Sequence, residues 1–353
     1  MMRKHYLDNI RWASVILVLI YHVFYMFNAA GVFGGLGGFR EVQYQDSLLY
    51  LVYPWFMALL FLVAGISSRY SLSHRTNKQF INDRTRRLLV PSTLGLFVFQ
   101  WISGYLNVLV GGGLDMIPSY IRYPVFVLSG IGPLWFIQML YLFSLLLVLI
   151  RKLDAKDKFY NLCGKAGYVL IILFAVLVWG SSQILNAPVI TTYRFGIYFV
   201  AFLLGYFVFS HDEVEQKVEK MHLPMLILAV VMGIAYTIYY FGINYADAPC
   251  LKSIFTNVYA WIAILAILGC GKAWFNKTNA FSDYMTKSSF GIYIIHYLVV
   301  QVLCYLLKCY TNLPLVLIYI LAVIGVLVLS PAVFELLKRI SIIRYLVLGI
   351  KKD

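Results

Sequence analysis

The amino-acid sequence predicts an all-α, polytopic integral membrane protein, and three observations carry that reading. Hydrophobic residues fill 62% of the 353 positions and charged residues 12%, about half the charge of a soluble domain. Apolar runs of about 20 residues recur along the chain, the length that crosses a hydrocarbon core at 1.5 Å per residue. The short alternating segments of a β-barrel are not visible, and a helix satisfies its own backbone groups in lipid.

Ten spans follow from the apolar runs, near 10–30, 48–69, 90–111, 133–150, 166–186, 193–210, 223–242, 253–271, 289–308 and 313–335. Lys and Arg orient them. With the N-terminus inside, inner segments hold 24 of the 29 basic residues and outer segments hold 5, namely Arg40, Arg122, Arg194, Lys252 and Lys308. This asymmetry predicts about ten transmembrane helices with both termini cytoplasmic, in a cell membrane that we expect to be the bacterial cytoplasmic membrane. It also explains the net charge of +14 by the bilayer rather than by nucleic acid, which is not an expected partner.

Residues 1–335 are expected to form one transmembrane domain. Residues 1–30 have the basic start and apolar run of a signal peptide. Arg11 and His22 within that run, its length and the lack of a clear small-residue cleavage site predict that it is retained. The polar segment from Arg75 to Pro91 is expected to be a basic inner loop. Residues 336–353 mix Arg, Lys, Ile and Leu and predict a cytoplasmic amphipathic tail on the inner surface. None of the five cysteines forms a C-x-x-C pair, so they read as small apolar fillers. No His or carboxylate cluster has metal-ligand spacing, and no metal is expected.

The first span carries the chemistry. Arg11 and His22 are eleven residues apart, three turns plus about 20°, so they share one helix face at roughly 16 Å along the axis. Asp8 lies three residues before Arg11 and can pair with it. An ionisable side chain at membrane depth is a functional-site hypothesis by default. Histidine titrates near neutrality and can take a proton from an attacking hydroxyl.

Further motifs surround that pair. The first helix opens Leu7-Asp8-Asn9-Ile10-Arg11-Trp12-Ala13 and keeps ten residues between Arg11 and His22. The second span reads Phe56-Met57-Ala58-Leu59-Leu60-Phe61-Leu62-Val63-Ala64-Gly65-Ile66-Ser67. Arg84 and Arg87 then precede Pro91, the fourth span opens Gly132-Pro133-Leu134-Trp135-Phe136, and the ninth holds Ser289-Phe290-Gly291-Ile292-Tyr293-Ile294-Ile295-His296. In this order the motifs resemble the membrane acyltransferase 3 family over nearly the whole chain. The run Asp8-Asn9-x-Arg11-Trp12 is closest to its glucan-biosynthesis-type, O-antigen acetylase-like branch. Asn9 stands where Gly is common, and the appended soluble hydrolase-like domain of some relatives is not expected.

The resemblance implies transfer of an acyl group, commonly acetyl, from cytoplasmic acyl-CoA to a hydroxyl of an envelope glycan or glycolipid. Acyl-CoA is a co-substrate, with no tightly bound cofactor. His22 is then the base, or the transient acceptor of the acyl group, with Arg11 near the donor and Asp8 fixing Arg11. Arg84 and Arg87, with the fork geometry that suits phosphate, share a face if their segment is helical and would bind the donor. Arg86 either joins them or faces lipid headgroups. Trp135 divides evenly between interfacial anchor and pocket wall. Gln138, Arg194, Tyr293 and His296 are the other candidates for substrate contact, His296 also suiting a packing hydrogen bond. A transporter or flippase for a glycan or lipid would use intramembrane Arg, His and Tyr equally well, and a non-catalytic membrane partner or sensor would tolerate loss of His22.

Overall fold

A computed structural model describes residues 4–188 and 192–351, so Arg3 and Lys352 lie outside the described residues. The predicted spans are helical at the expected places. Among the described residues, eight helical runs are long and apolar enough to cross a membrane: α1 (His5–Met26), α2 (Tyr44–Ser73), α3 (Asn77–Val110), α4 (Gly132–Leu153), α8 (His222–Tyr240), α9 (Ile254–Trp274), α10 (Ala280–Tyr310) and α11 (Leu315–Arg339). The fifth and sixth spans are shorter. Helix α5 (Tyr168–Ser181) has 14 residues, and α6 (Phe195–Phe207) has 13 before a 110° bend into α7 (Asp212–Lys220). At 1.5 Å per residue each covers about 20 Å, less than a hydrocarbon core of about 30 Å. A two-stranded antiparallel ribbon, β1 (Asn186–Pro188) and β2 (Thr192–Arg194), leads into α6.

From Asn77 to Pro91 the segment is helical, the condition under which Arg84 and Arg87 were expected to share a face. Thr76 and Gln79 close a reciprocal capping box at the start of α3, which satisfies two amide groups and commits the chain to a helix. Pro91 has no N–H to donate and its ring crowds the preceding turn. The helix meets this by widening to a π-turn over Thr85–Leu89 just before it. The tail is also helical, α12 (Ser341–Leu348), and packs Val347 and Leu348 against the part of α3 that follows this turn.

Helix α1 is central and packs against α2, α9, α10 and α11. Over their most apolar stretches α2 and α9 are 78% buried and α8 only 22%, which sorts interior from lipid-facing helices. The exposed face of α8 presents Ile227, Val231, Ile234 and Ile238, a surface that suits lipid and not water. At one end of the bundle, here the basic end, Lys4 pairs with Asp212 at 2.5 Å and Glu215 at 2.7 Å. Burial alone would lower the Lys4 pKa, but these two carboxylates outweigh it and raise the ammonium above its ordinary range. At the opposite end Lys308 donates to the carbonyls of Leu36 and Gly37 at 2.8 and 2.5 Å and pins the glycine-rich loop after α1.

Two glycines bring α2 and α6 to backbone contact. A Cβ on Gly65 would lie 2.0 Å from the Phe202 carbonyl oxygen, and one on Gly205 would lie 2.0 Å from that of Leu62. Small residues let membrane helices approach to backbone contact. Gly65→Ala should therefore destabilise the fold by about 1–3 kcal/mol through overpacking, seen as a lower temperature for loss of monodisperse protein in detergent. Gly180→Ala, where a Cβ meets nothing within 4 Å, should not lower that temperature.

Candidate active site

The apolar run of α1 places His22 in its last turns, where the ring is fixed by its own helix. His22 Nδ1 lies 2.8 Å from the Val18 carbonyl oxygen, one turn back. A carbonyl only accepts, so Nδ1 carries the hydrogen and Nε2 keeps a lone pair. His296, fully buried on α10, is oriented in the same manner. Its Nδ1 donates to the Tyr293 carbonyl at 2.5 Å, which leaves its Nε2 as an acceptor. That Nε2 lies 3.2 Å from His22 Nδ1, so the His22 hydrogen is shared between Val18 and His296. The chain from the Tyr293 carbonyl through His296 to His22 holds one tautomer and one ring angle.

His22 lines a cavity of about 240 Å³ in the half of the bundle away from the basic end. Aromatic side chains dominate it. Tyr21, Tyr25, Tyr53, Tyr193, Tyr198, Tyr293 and Tyr297 reach its wall, with Trp135, Phe33, Phe56 and the amide of Asn107. Trp135 stacks on Tyr198 with ring centroids 5.4 Å apart, and the Tyr293 hydroxyl donates to the Pro133 carbonyl at 2.5 Å. Of the residues expected to contact substrate, Trp135 and Tyr293 thus line the cavity and His296 stands behind His22.

Two other candidates lie outside that lining. Gln138 donates its amide to the Ser92 carbonyl at 2.8 Å and ties α4 to α3. Arg194 is only 1% exposed. It donates to Asn257 Oδ1 at 2.5 Å and to the Leu251 and Pro54 carbonyls at 3.2 and 3.4 Å. The guanidinium faces inward because carbonyl dipoles from Pro54 and from the segment Leu251 to Asn257 converge there.

Asp8 and Arg11 pair at 3.0 Å, as their spacing requires, and Arg11 Nη2 also donates to Ser67 Oγ at 2.8 Å. Arg84 donates to the adjacent Ser68 at 3.1 Å, so α2 gathers both guanidinium groups on neighbouring serines. Arg86 and Arg87 turn to Asp83 instead, at 2.7 and 3.0 Å, and Arg75 joins them at 3.3 Å. The π-turn between Arg84 and Arg87 separates their directions. Arg84 faces α2, and Arg87 is 58% exposed. The expected shared face is divided, yet both groups remain at the basic end with Arg11.

One feature of the site escaped the motif reading. Ser103 donates to Gln301, Gln301 donates to Asn107 Oδ1 at 2.6 Å, and Asn107 donates to the Ser129 carbonyl at 2.7 Å. This buried relay joins α3 and α10 beside the cavity. Gln100, Ser103 and Asn107 recur at helical spacing inside an apolar run, a signal that a count of polar residues per helix face would have found.

Removing Arg194 would leave its acceptors unmatched. Arg194→Ala should cost about 2 kcal/mol or more and appear as a reduced folded yield and earlier heat unfolding in detergent.

A family model described as an acyltransferase domain matches residues 4–334. Comparisons with curated proteins and with solved structures found no match. The match runs from the residue before α1 into α11 and so takes in the His22 cavity and the arginine cluster alike: this multi-pass membrane protein belongs to the acyltransferase 3 family.

Proposed function

We propose that the protein is an O-acyltransferase that moves an acyl group, in the simplest case acetyl, from cytoplasmic acyl-CoA to a hydroxyl of an envelope glycan or glycolipid. The observation that carries this reading is His22: Nδ1 is committed to Val18 and His296, and the ring lines a cavity with Nε2 as its remaining base. The acceptor hydroxyl gives its proton to Nε2 as its oxygen attacks the thioester carbonyl. The C–O bond forms, the C–S bond breaks, and the thiolate of CoA takes the proton from His22. Positive charge that develops on His22 is spread toward the Val18 carbonyl and His296 Nε2, the orienting role that a third group plays behind many catalytic bases.

The donor phosphates belong at the other end. Arg84, Arg86 and Arg87 supply positive forks at the basic end, which the distribution of Lys and Arg assigns to the cytoplasm. Arg11 lies roughly 16 Å below His22 along α1. The long pantetheine arm of CoA suits that separation, with phosphates on the arginines and thioester beside His22.

His22→Ala should lower acetyl-CoA turnover by about 1,000-fold or more while the protein stays monodisperse in nanodiscs. Undiminished turnover in that variant would end the reading. His296→Leu should lower kcat by about 100-fold with little change in KM, and His296→Gln, which restores an acceptor, should recover part of it. Arg87→Gln should raise the KM for acetyl-CoA by about 10-fold with kcat nearly unchanged, read from steady-state kinetics.

A further inference from the structure

The C-terminal helix meets the arginine turn backbone to backbone, and a glycine on each side makes the contact possible. Gly349 ends α12 at φ +64°, a left-handed conformation that other residues adopt only under strain. Its N–H donates to the Tyr345 carbonyl at 3.0 Å, and the N–H of Ile350 donates to the Arg344 carbonyl at 3.2 Å, which closes the helix. Having no side chain, Gly349 lets α3 come close. A Cβ there would lie 2.6 Å from the Arg86 carbonyl oxygen, 3.0 Å from Arg87 Cα and 3.1 Å from Pro91 Cγ. On the α3 side, a Cβ on Gly95 would lie 3.1 Å from the Leu346 carbonyl oxygen. Between these two points Val347 and Leu348 are buried, whereas Ile342 and Tyr345 are exposed. One face of α12 is thus committed to α3 and the other is left to the bilayer surface.

The contact falls on residues already tied down at their far ends. Arg86 and Arg87 lie in the π-turn Thr85–Leu89, a rare geometry that is frequent at functional sites. Asp83 holds their guanidinium groups at 2.7 and 3.0 Å, and Gly349 holds the backbone from which they extend. Long side chains fixed at both ends lose less freedom when they take a ligand.

We propose that α12 is a positioning element of the donor site: through Gly349 it sets the Arg86–Arg87 backbone so that both guanidinium groups meet the phosphates of acyl-CoA. This rests on the reading that these arginines bind the donor. Gly349 touches no substrate and acts only through the two side chains, so the C-terminal segment governs donor affinity and not the chemical step.

The test measures the Kd of CoA for the full-length protein in nanodiscs by calorimetry, with no acceptor present. Gly349→Ala should weaken binding about 10-fold in the otherwise unchanged protein and less than about 2-fold in the Arg86→Gln/Arg87→Gln background, since coupled residues do not add. Equal weakening in both backgrounds marks a general loosening of the fold and overturns the proposal. Unchanged affinity in Gly349→Ala, with binding weakened by Arg86→Gln/Arg87→Gln, also overturns it and leaves the donor reading standing. If Arg86→Gln/Arg87→Gln binds CoA as tightly as the unchanged protein, the donor assignment falls and the proposal with it. Should Gly349→Ala fail to give monodisperse protein, Gly95→Ala, a milder crowding of the same seam, takes its place in both backgrounds, with an expected loss of about 3-fold and the same overturning outcomes.

Discussion

Inside hydrocarbon a polar side chain has no water to fall back on, so each one must find its partner within the protein or remain available to a ligand. Most of the internal architecture of this chain answers that constraint. Arg194 collects carbonyl oxygens and the Asn257 amide, Ser103, Gln301 and Asn107 form a closed relay, and Arg11 and Arg84 settle on adjacent serines of α2. His22 and His296 obey the same rule on one side of each ring. Two backbone carbonyls and one ring-to-ring contact use up Nδ1 of His22 and both nitrogens of His296. The one nitrogen left over, His22 Nε2, is the base of the proposed transfer.

The same constraint separates charge from reaction. Full positive charge gathers at the basic end, where Asp83 draws in Arg75, Arg86 and Arg87 and where Lys4 meets Asp212 and Glu215. The cavity at the other end of α1 is furnished with aromatic rings and neutral dipoles. A co-substrate that is anionic at one end and neutral at its reactive end matches this division, and an acceptor hydroxyl matches the neutral half. Low polarity around His22 also strengthens whatever hydrogen bonds form there.

Backbone-to-backbone packing supplies the rigidity that such a site needs. Gly65 and Gly205 bring α2 and α6 together, and both helices contribute to the cavity wall, through Tyr53, Phe56 and Met57 on one and Tyr198 on the other. Phe61 lies in the seam, stacked on Tyr198 and edge-on to Phe136. Helix α12 packs on α3 just beyond the π-turn that carries Arg86 and Arg87, so the C-terminal segment belongs to the framework around these arginines.

By itself the sequence determined the fold class, the order and place of the helical spans, the Asp8–Arg11 pair and the family. These depend on local composition, on helical periodicity and on spacing within one segment. It also marked His22, because a histidine in an apolar run is conspicuous wherever its neighbours lie. Tertiary structure alone decided the rest. Arg194 points inward because two distant segments, at Pro54 and at Leu251 to Asn257, turn carbonyl oxygens toward it. His296 meets His22 across 274 positions of chain, and seven tyrosines from several helices share one cavity. Periodicity says which residues share a helix face. Which faces meet is settled only when all the helices compete to bury their polar groups in the same small volume.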